Sequence, residues 1–402
     1  MADADQVRNG PLAGVRVVEL AGIGPGPFCA MLLADLGADV ISVERPGSSP
    51  DSKKADVVCW RGRRSIAVDV KKAEGVEVVL DLVRDADVLM EGFRPGVVER
   101  LGLGPDVCQA LNPGLVYGRM TGWGQDGPLA RAAGHDINYI SLSGALHGIG
   151  RAGDVPVPPL NLVGDYGGGG MLLAIGIVSA LVEKGRSGKG QVIDASMAEG
   201  SALLSSVFYG MRAQGLCGVQ PGENVLGTAA PYYEVYETRT ERDEERQYVS
   251  IGPLEPQFYE LLVSLAELPE DEFHPQEDEA AWPRRKEKLC ELFLSKTRDE
   301  WCDLFAGTDA CFAPVLSIDE APEHPHNLAR GSFVEIDGIT QPAPAPKFSR
   351  TQPSEPQAAR VPGQDTDSVL QELGYAADRI QQLKQAGVLC AKPSKNRAGA
   401  FR

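Results

Sequence analysis

The sequence predicts an α/β protein built on a parallel sheet, and three observations support this fold class. An apolar run over residues 15–20 precedes a Gly/Pro loop and a helical pattern that ends near residue 36. A second apolar run over 39–44 follows directly, so the chain begins as a β-loop-α-β unit. Strand and helix patterns then keep alternating to about residue 195. Because such units form parallel strands with right-handed crossovers, a large Rossmann-like domain is expected.

The later elements follow from the same patterns. In the first region, strands are expected at 66–69, 88–91, 115–120 and 191–195, and helices at 72–83, 165–183 and 197–214. Beyond it, a hairpin is expected at 232–238 and 247–251, and helices at 256–265, 282–295 and 298–305. The change from alternating strands and helices to a hairpin with helices indicates a second, smaller α+β domain.

The expected domain organisation has five parts. They are a large α/β domain over 1–215 to which 345–390 return, a linker at 216–230, a small α+β domain at 231–325, an extended return linker at 326–365, and a disordered tail at 391–402. The return linker is expected to be extended because it is rich in proline and polar residues.

Composition excludes several classes of protein. The 402 residues carry a net charge of −17, which repels a phosphate backbone, so no nucleic-acid partner is expected. The eight cysteines form no CxxC pair, which favours reduced thiols and no structural zinc or other metal site. The apolar run at 167–182 is short for a membrane span, and a buried core helix is expected there instead.

The ends of the chain carry no targeting signal that we recognise. The N-terminus is acidic and lacks the apolar stretch of a signal peptide, and the last three residues are not of the Ser-Lys-Leu type. An intracellular location is expected, with the cytoplasm favoured and the peroxisome or mitochondrion as alternatives.

A glycine-rich turn after the first strand resembles a dinucleotide-binding motif but lacks the third glycine and the N–H donors that such a motif needs. The glycines at 22, 24 and 26 lie where GxGxxG would begin, yet the third motif position is Pro27. Pro25 and Pro27 also lack the N–H groups that would bind a pyrophosphate. A tight strand-to-helix turn is therefore favoured over NAD binding.

Three polar residues are candidates for proton chemistry. His135 is an imidazole that can act as base and then as acid, or a hydrogen-bonded structural residue. Asp165 and Glu255 are each expected at a helix start, where a carboxylate also has a purely structural role. Four glycines at 167–170 weaken a helix, which suggests that a ligand approaches the backbone there.

Four separate motifs of this sequence resemble those of the family III CoA-transferase superfamily, and within it those of the racemases of 2-methylacyl-CoA thioesters. They are GHDINY at 134–139, PLNL with GDYGGG at 159–169, GKGQVID at 188–194 and EPQFY at 255–259. The resemblance runs from about residue 14 to residue 350. It implies a large domain made of N- and C-terminal segments, a smaller domain between them, and an interlocked homodimer.

The resemblance also assigns roles to individual residues. His135 matches the family's catalytic base, Asp165 the second acid/base group, and Glu255 the carboxylate that orients the histidine. Seven further residues are implied as CoA or substrate contacts: Arg45, Lys71, Arg94, Arg100, Tyr139, Asn161 and Met197. No cofactor is implied, since CoA is part of the substrate.

The implied activity is interconversion of (2R)- and (2S)-2-methylacyl-CoA by 1,1-proton transfer through an enolate, in branched-chain lipid metabolism. The first alternative is a formyl-CoA-transferase-like enzyme in which Asp165 carries the acyl group. A second alternative is a CoA-thioester binding protein without turnover, and a dehydrogenase is a third. A general base at His135 distinguishes the racemase, because transfer gives it no role.

The chain departs from the family in one sequence motif. The family's Leu-Asp-Gly-Gly-Ala-Pro reads Leu-Gly-Thr-Ala-Ala-Pro at 226–231, so the aspartate is missing. The charged loop at 239–246 is also longer than usual. Both changes leave the paired acid/base groups intact.

Overall fold

The structure, a computed structural model, describes residues 8–48, 57–218, 220–240 and 245–389. The chain divides into two compact units. Of the described residues, the first contains those up to Ser143, Leu160–Leu204 and those from Phe333 to Leu389, and the second contains those within Gly144–Pro159 and Ser205–Ser332. The second unit thus includes residues 144–159 and 205–215, which were expected in the large domain. The expected tail at 391–402 lies outside the described residues.

A six-stranded parallel sheet forms the centre of the first unit, in the order β3-β2-β1-β4-β5-β6. Its strands are β1 (Arg16–Leu20), β2 (Asp39–Glu44), β3 (Arg64–Ala67), β4 (Val88–Glu91), β5 (Val116–Thr121) and β6 (Val192–Ser196). This is the strand order of the Rossmann fold, in which the chain reverses direction across the sheet between β1 and β4. The predicted α/β fold with a parallel sheet is confirmed.

Helices cover both faces of this sheet because its strands are apolar on both sides. Those of the first unit are α1 (Pro25–Asp35), α2 (Ala73–Arg84), α3 (Val97–Arg100), α4 (Pro105–Leu111), α5 (Asp136–Leu142), a π-helix (Leu162–Met171), α6 (Leu172–Ser187), α7 (Met197–Leu204), α14 (Thr366–Glu372) and α15 (Ala377–Gln385). The returning helices α14 and α15 place Leu370 and Leu383 in the same core as Val79 of α2. On the other face, α1 and α6 pack Leu33 and Ile177 against the strands.

The second unit has a core of its own around a three-stranded antiparallel sheet in the order β7-β8-β9. Its strands are β7 (Glu234–Glu237), β8 (Tyr248–Ile251) and β9 (Phe312–Val315). Its helices are α8 (Ser206–Ala213), α9 (Pro256–Leu265), α10 (Glu270–Phe273), α11 (Trp282–Phe293), α12 (Arg298–Phe305) and α13 (Pro325–Arg330). The hairpin of β7 and β8 was predicted, whereas β9 was not.

Three expectations about local structure were wrong. The helix expected to start at residue 165 begins at Leu162 and takes the π form through Met171. The helix expected at 197–214 is two helices, α7 and α8. The linker expected to be extended over 326–365 contains the end of α13 and a hairpin of β10 (Phe333–Ile336) and β11 (Ile339–Pro342).

The long apolar helix of the first unit is only partly buried. Residues Leu162–Ser187 are long and apolar enough to cross a membrane by length and composition, and 33% of the most apolar window is buried. Leu173 and Ile177 face the core, while Ile175 is 64% exposed. The expected buried core helix is therefore a helix with one buried face and one exposed apolar face.

Candidate active site at the carboxyl edge of the parallel sheet

The candidate site lies where the strand order of the sheet reverses. In open α/β sheets, ligands bind outside the carboxyl ends of the strands at this point. Gly24 follows β1, Arg94 follows β4, and His135 lies on the segment after β5. Asp165 arrives from the π-helix, and its Oδ2 would be 3.5 Å from a Cβ atom placed on Gly24. The predicted acid/base pair therefore lies at this edge of the sheet.

His135 forms the N-cap of α5 and is exposed. Its backbone N–H donates to Oδ1 of Asn138 at 3.0 Å, which caps the start of the helix. The imidazole belongs to an exposed residue at this helix start.

Tyr139 holds the segment that leads to His135. Its ring packs edge-on against Trp123 at 4.8 Å, and its hydroxyl donates to the carbonyl of Gly134 at 2.5 Å. A Cβ atom on Gly134 would be 2.7 Å from this ring, so the glycine is required by packing. Tyr139 was expected to contact substrate, and that contact stays a prediction beside the structural role seen here.

The glycines after Asp165 allow close packing of helices. A Cβ atom on Gly168 would be 2.7 Å from the backbone nitrogen of Ser201 on α7, and one on Gly200 would be 1.9 Å from the Gly168 carbonyl oxygen. A Cβ atom on Gly170 would be 2.9 Å from the Pro25 carbonyl oxygen on α1. Packing against α1 and α7 thus accounts for Gly168 and Gly170, and the approach of a ligand to this backbone stays a prediction.

Asp165 is held by both its backbone and its side chain. Its backbone N–H donates to Oδ1 of Asp136 at 2.7 Å, and Nδ2 of Asn161 donates to its Oδ2 at 3.1 Å. Asp136 directly follows His135, so this bond joins the two predicted proton-transfer residues through one side chain. Asn161, expected as a substrate contact, is bonded to the catalytic candidate instead, and its contact with substrate stays a prediction.

The surroundings of Asp165 favour its protonated form. Burial raises the pKa of its carboxyl above the ordinary value, and the charge of Asp136 raises it further. The hydrogen bond from Asn161 and the electrostatic effect of His135 lower this pKa but do not cancel the rise. A carboxyl group with a raised pKa is suited to donate a proton as well as to accept one.

Four residues predicted to contact CoA or substrate follow the carboxyl ends of strands β2, β3 and β4. Arg45 directly follows β2, Lys71 follows β3, and Arg94 and Arg100 follow β4. All four are exposed, and none of their side chains forms an ion pair within the described parts of the chain. Burial raises the pKa of Tyr139 above its ordinary value, and the positive charge of Arg94 reduces this rise. Guanidinium and ammonium groups without an ion-pair partner at one edge suit a polyanionic ligand. Contact of these four residues with CoA or substrate stays a prediction.

The remaining two predicted site residues lie elsewhere. Glu255 is exposed at the N-cap of α9 in the second unit, and its role as partner of His135 stays a prediction. Met197 is 7% exposed, and its Cγ would be 2.9 Å from a Cβ atom on Gly169. Met197 thus packs in the core against the π-helix, and its expected contact with the acyl chain stays a prediction.

Sequence reasoning did not assign a role to Asp136 and Gly164. Asp136 is buried, and a Cβ atom on Gly164 would be 2.4 Å from its Oδ1. The only available signal was position, since each residue directly adjoins a predicted catalytic residue. Within the described residues, no group of three or more His, Cys, Asp or Glu side chains is placed to hold a metal ion.

The sequence matches a known protein family over most of its length. The profile of CoA-transferase family III matches residues 12–367, and the chain belongs to that family.

Named relatives are similar over nearly the whole chain. The chain is 48% identical to the alpha-methylacyl-CoA racemase of Mus musculus, over 92% of this chain and 96% of the relative. It is 45% identical to the alpha-methylacyl-CoA racemase of Homo sapiens, over 94% of this chain and 97% of the relative. A solved CAIB/BAIF family protein from Brucella suis superposes with a TM-score of 0.74 at 28% identity, covering 91% of this chain and 100% of that one.

Proposed function

We propose that this protein is a racemase that interconverts the 2R and 2S epimers of 2-methylacyl-CoA thioesters. The observation that carries the proposal is a hydrogen bond that links the segments of His135 and Asp165. The backbone N–H of Asp165 donates to Oδ1 of Asp136, the residue after His135, at 2.7 Å. The identity of 45–48% to two alpha-methylacyl-CoA racemases supports the choice of substrate.

The reaction needs two groups on opposite faces of one carbon. For one epimer, the imidazole of His135 takes the α-proton, and the C–H electron pair moves into the thioester carbonyl to form an enolate. The protonated carboxyl of Asp165 then donates its proton to the opposite face of the α-carbon. For the other epimer the roles are reversed. The thioester delocalises the charge, and free N–H groups in the first turn of α5 stabilise the enolate oxygen.

The presence of His135 favours this reaction over acyl transfer, because transfer would leave its imidazole without a task. Burial and the charge of Asp136 raise the pKa of Asp165, which suits a group that donates a proton as well as accepting one.

The substrate's CoA moiety accounts for the exposed cations. We propose that Arg45, Lys71 and Arg100 bind its phosphates and that Arg94 lies nearer the thioester, because Arg94 acts on Tyr139. Glu255 orients His135 by accepting a hydrogen bond from one ring nitrogen, which leaves the other nitrogen to take the proton. The protein works in a reducing intracellular compartment, and no metal or redox cofactor takes part.

A second copy of the chain is the partner that we propose for the apolar face of α6. Ile175 and Val182 are each at least half exposed on this helix, as is Met171 at the end of the π-helix, and Leu203 and Leu204 of α7 are exposed as well. An apolar surface of this kind marks an interface between proteins. The homodimer is interlocked, as the family resemblance implies. Light scattering after gel filtration tests it, with twice the chain mass of 42.9 kDa expected.

Chiral chromatography tests the proposed activity. A single epimer of a 2-methylacyl-CoA is incubated with the protein and a free carboxylic acid, and the protein from a parallel sample is treated separately with hydroxylamine and analysed by mass spectrometry. We expect the two epimers to approach equal amounts, with no new CoA ester and no hydroxamate on Asp165. A new CoA ester together with an Asp165 hydroxamate and no epimerisation would replace the racemase with a transferase. The variant His135→Ala should lose epimerisation, whereas His326→Ala, an exposed histidine on α13, should keep it.

A further inference from the structure

Asp136 lies between the two groups of the proposed racemase and is not itself placed to touch the reacting carbon. Its side chain is 6% exposed, and its Oδ1 accepts the backbone N–H of Asp165, 29 residues further along the chain. We propose that Asp136 is a positioning residue for proton transfer, which fixes the Asp165 backbone beside the helix of His135 and places a second negative charge next to the Asp165 carboxyl. This inference rests on the proposed function.

The hydrogen bond to Asp165 requires a glycine at the preceding position. A Cβ atom on Gly164 would lie 2.4 Å from Oδ1 and 2.8 Å from Cγ of Asp136. Real Cβ atoms do not approach so closely, so any side chain at this position would displace the carboxylate. The π-helix therefore meets the start of α5 at a point where one residue has no side chain and the other is a buried acid.

A purely structural role for Asp136 at the helix start does not account for its environment. A first-turn carboxylate stabilises a helix through the free N–H groups of its own first turn and remains solvated. Here Oδ1 bonds an amide of another element, and Oδ2 is buried without a hydrogen-bond partner among the described residues. A buried, half-satisfied carboxylate is unfavourable for stability, which indicates a role other than stability.

The charge of Asp136 acts directly on Asp165. From α5, Asp136, His135 and Tyr139 face Asp165, and the hydroxyl of Tyr139 is kept neutral because burial raises its pKa. From α1 the neighbour is Gly24, and from the π-helix segment it is Asn161, both uncharged. Among the described residues, Asp136 and His135 are the titratable side chains whose electrostatic effects act on the pKa of Asp165, and they act in opposite directions.

The variant Asp136→Asn separates charge from position. Asparagine keeps an oxygen that accepts the Asp165 N–H but removes the negative charge. With the epimer whose α-proton Asp165 removes, we expect the acid limb of the kcat/KM profile to move to lower pH by roughly one unit, since a like charge at close range raises a carboxyl pKa by this order. The matched control is Asp194→Asn, because Asp194 Oδ2 also accepts a backbone N–H, from Gln125 at 2.9 Å. The control should leave the limb unmoved.

A second variant displaces the carboxylate without changing it. In Gly164→Ala the new methyl group would push Asp136 away from Asp165, and we expect at least a tenfold loss of kcat. Gly185→Ala is the control, because a Cβ atom there meets nothing within 4 Å. If Gly164→Ala loses no more of its kcat than Gly185→Ala does, the positioning role is contradicted.

Carbon-13 titration of the aspartate carboxyls keeps the test independent of activity. The Asp165 signal is assigned by its absence in Asp165→Asn, and its midpoint is compared between the unsubstituted protein and Asp136→Asn. A midpoint lowered in Asp136→Asn supports the inference even where no epimerisation is found, an outcome that would overturn the proposed function alone. An unchanged midpoint, or a uniform loss of activity at every pH, overturns the inference alone. If Asp136→Asn fails to fold, the same comparison in Gly164→Ala decides.

Discussion

The two segments that carry the proposed proton-transfer groups are held in opposite ways. His135 is exposed at the start of α5, and capping by Asn138 fixes its backbone while leaving the imidazole accessible. Asp165 is half-buried in a π-helix whose glycines pack against the backbones of α1 and α7. An exposed imidazole exchanges protons readily with water, whereas a carboxyl in a packed helix has a raised pKa and a fixed position. One reaction thus uses two groups in contrasting environments.

The largest expected effect comes from removing either group. His135→Ala and Asp165→Asn should each lower the rate of epimerisation by about 10²- to 10⁴-fold, the usual contribution of a positioned acid or base. Each variant keeps one base, so any residual exchange of the α-proton with solvent should be confined to one epimer. Proton NMR of both epimers in heavy water measures this.

The retained epimer should differ between the two variants. Residual exchange of the same epimer in both would contradict the assignment of the two groups to opposite faces of the carbon.

The packing of the π-helix gives the next largest effect. A Cβ atom on Gly200 would lie 1.9 Å from a backbone oxygen, so Gly200→Ala should destabilise the protein by about 1–3 kcal/mol or more. Thermal unfolding should show a decrease in Tm of about 5 °C.

The matched variant for this packing is Gly185→Ala in α6, where the added methyl group has open space. It should be neutral or stabilising by up to about 1 kcal/mol, as expected for alanine in a helix. Equal Tm values for the two variants would show that the close approach of the helices is not needed.

Tyr139→Phe tests how the histidine segment is held. It removes the hydroxyl that donates to the Gly134 carbonyl, and a loss of about 0.5–1.5 kcal/mol of stability is expected with a change of less than tenfold in kcat/KM. Urea unfolding and initial rates measure the two effects. A much larger rise in KM with unchanged stability would favour the predicted contact of this hydroxyl with substrate.

The smallest effect concerns the pH dependence of stability. The folded-state pKa of Asp165 is raised, so its ionisation opposes folding; this penalty is absent below the unfolded aspartate value of about 3.9 and complete above the folded pKa. The change in Tm caused by Asp165→Asn should therefore be more positive at neutral pH than near pH 3, by a few degrees or less. An equal difference in Tm at both pH values would contradict the raised pKa.

The sheet could be predicted because its signals are local. Apolar runs at β1, β2 and β4 are bounded by turns, and each appears within a residue or two of the expected position. The π-helix could not be predicted, because glycine at 168 and 170 reports only that space is needed and not which element fills it. The pairing of strands with distant partners, such as β5 with β6, likewise depends on the whole fold.

The candidate site was predicted in its residues but not in its connections. His135 and Asp165 were identified by resemblance, yet the bond that joins them uses Asp136, whose sequence context is that of an ordinary helix-start acid. Only three-dimensional structure shows that its carboxylate is buried and that Gly164 makes room for it.

Deuterium incorporation tests the central claim most directly. One epimer of a 2-methylacyl-CoA is incubated with the protein in heavy water, and mass spectrometry follows the α-position while chiral chromatography follows the epimers. We expect deuterium at the α-carbon of the inverted product at the same rate as epimerisation, because the donating group exchanges its proton with solvent. Folded protein that gives neither α-deuteration nor inversion would contradict the account.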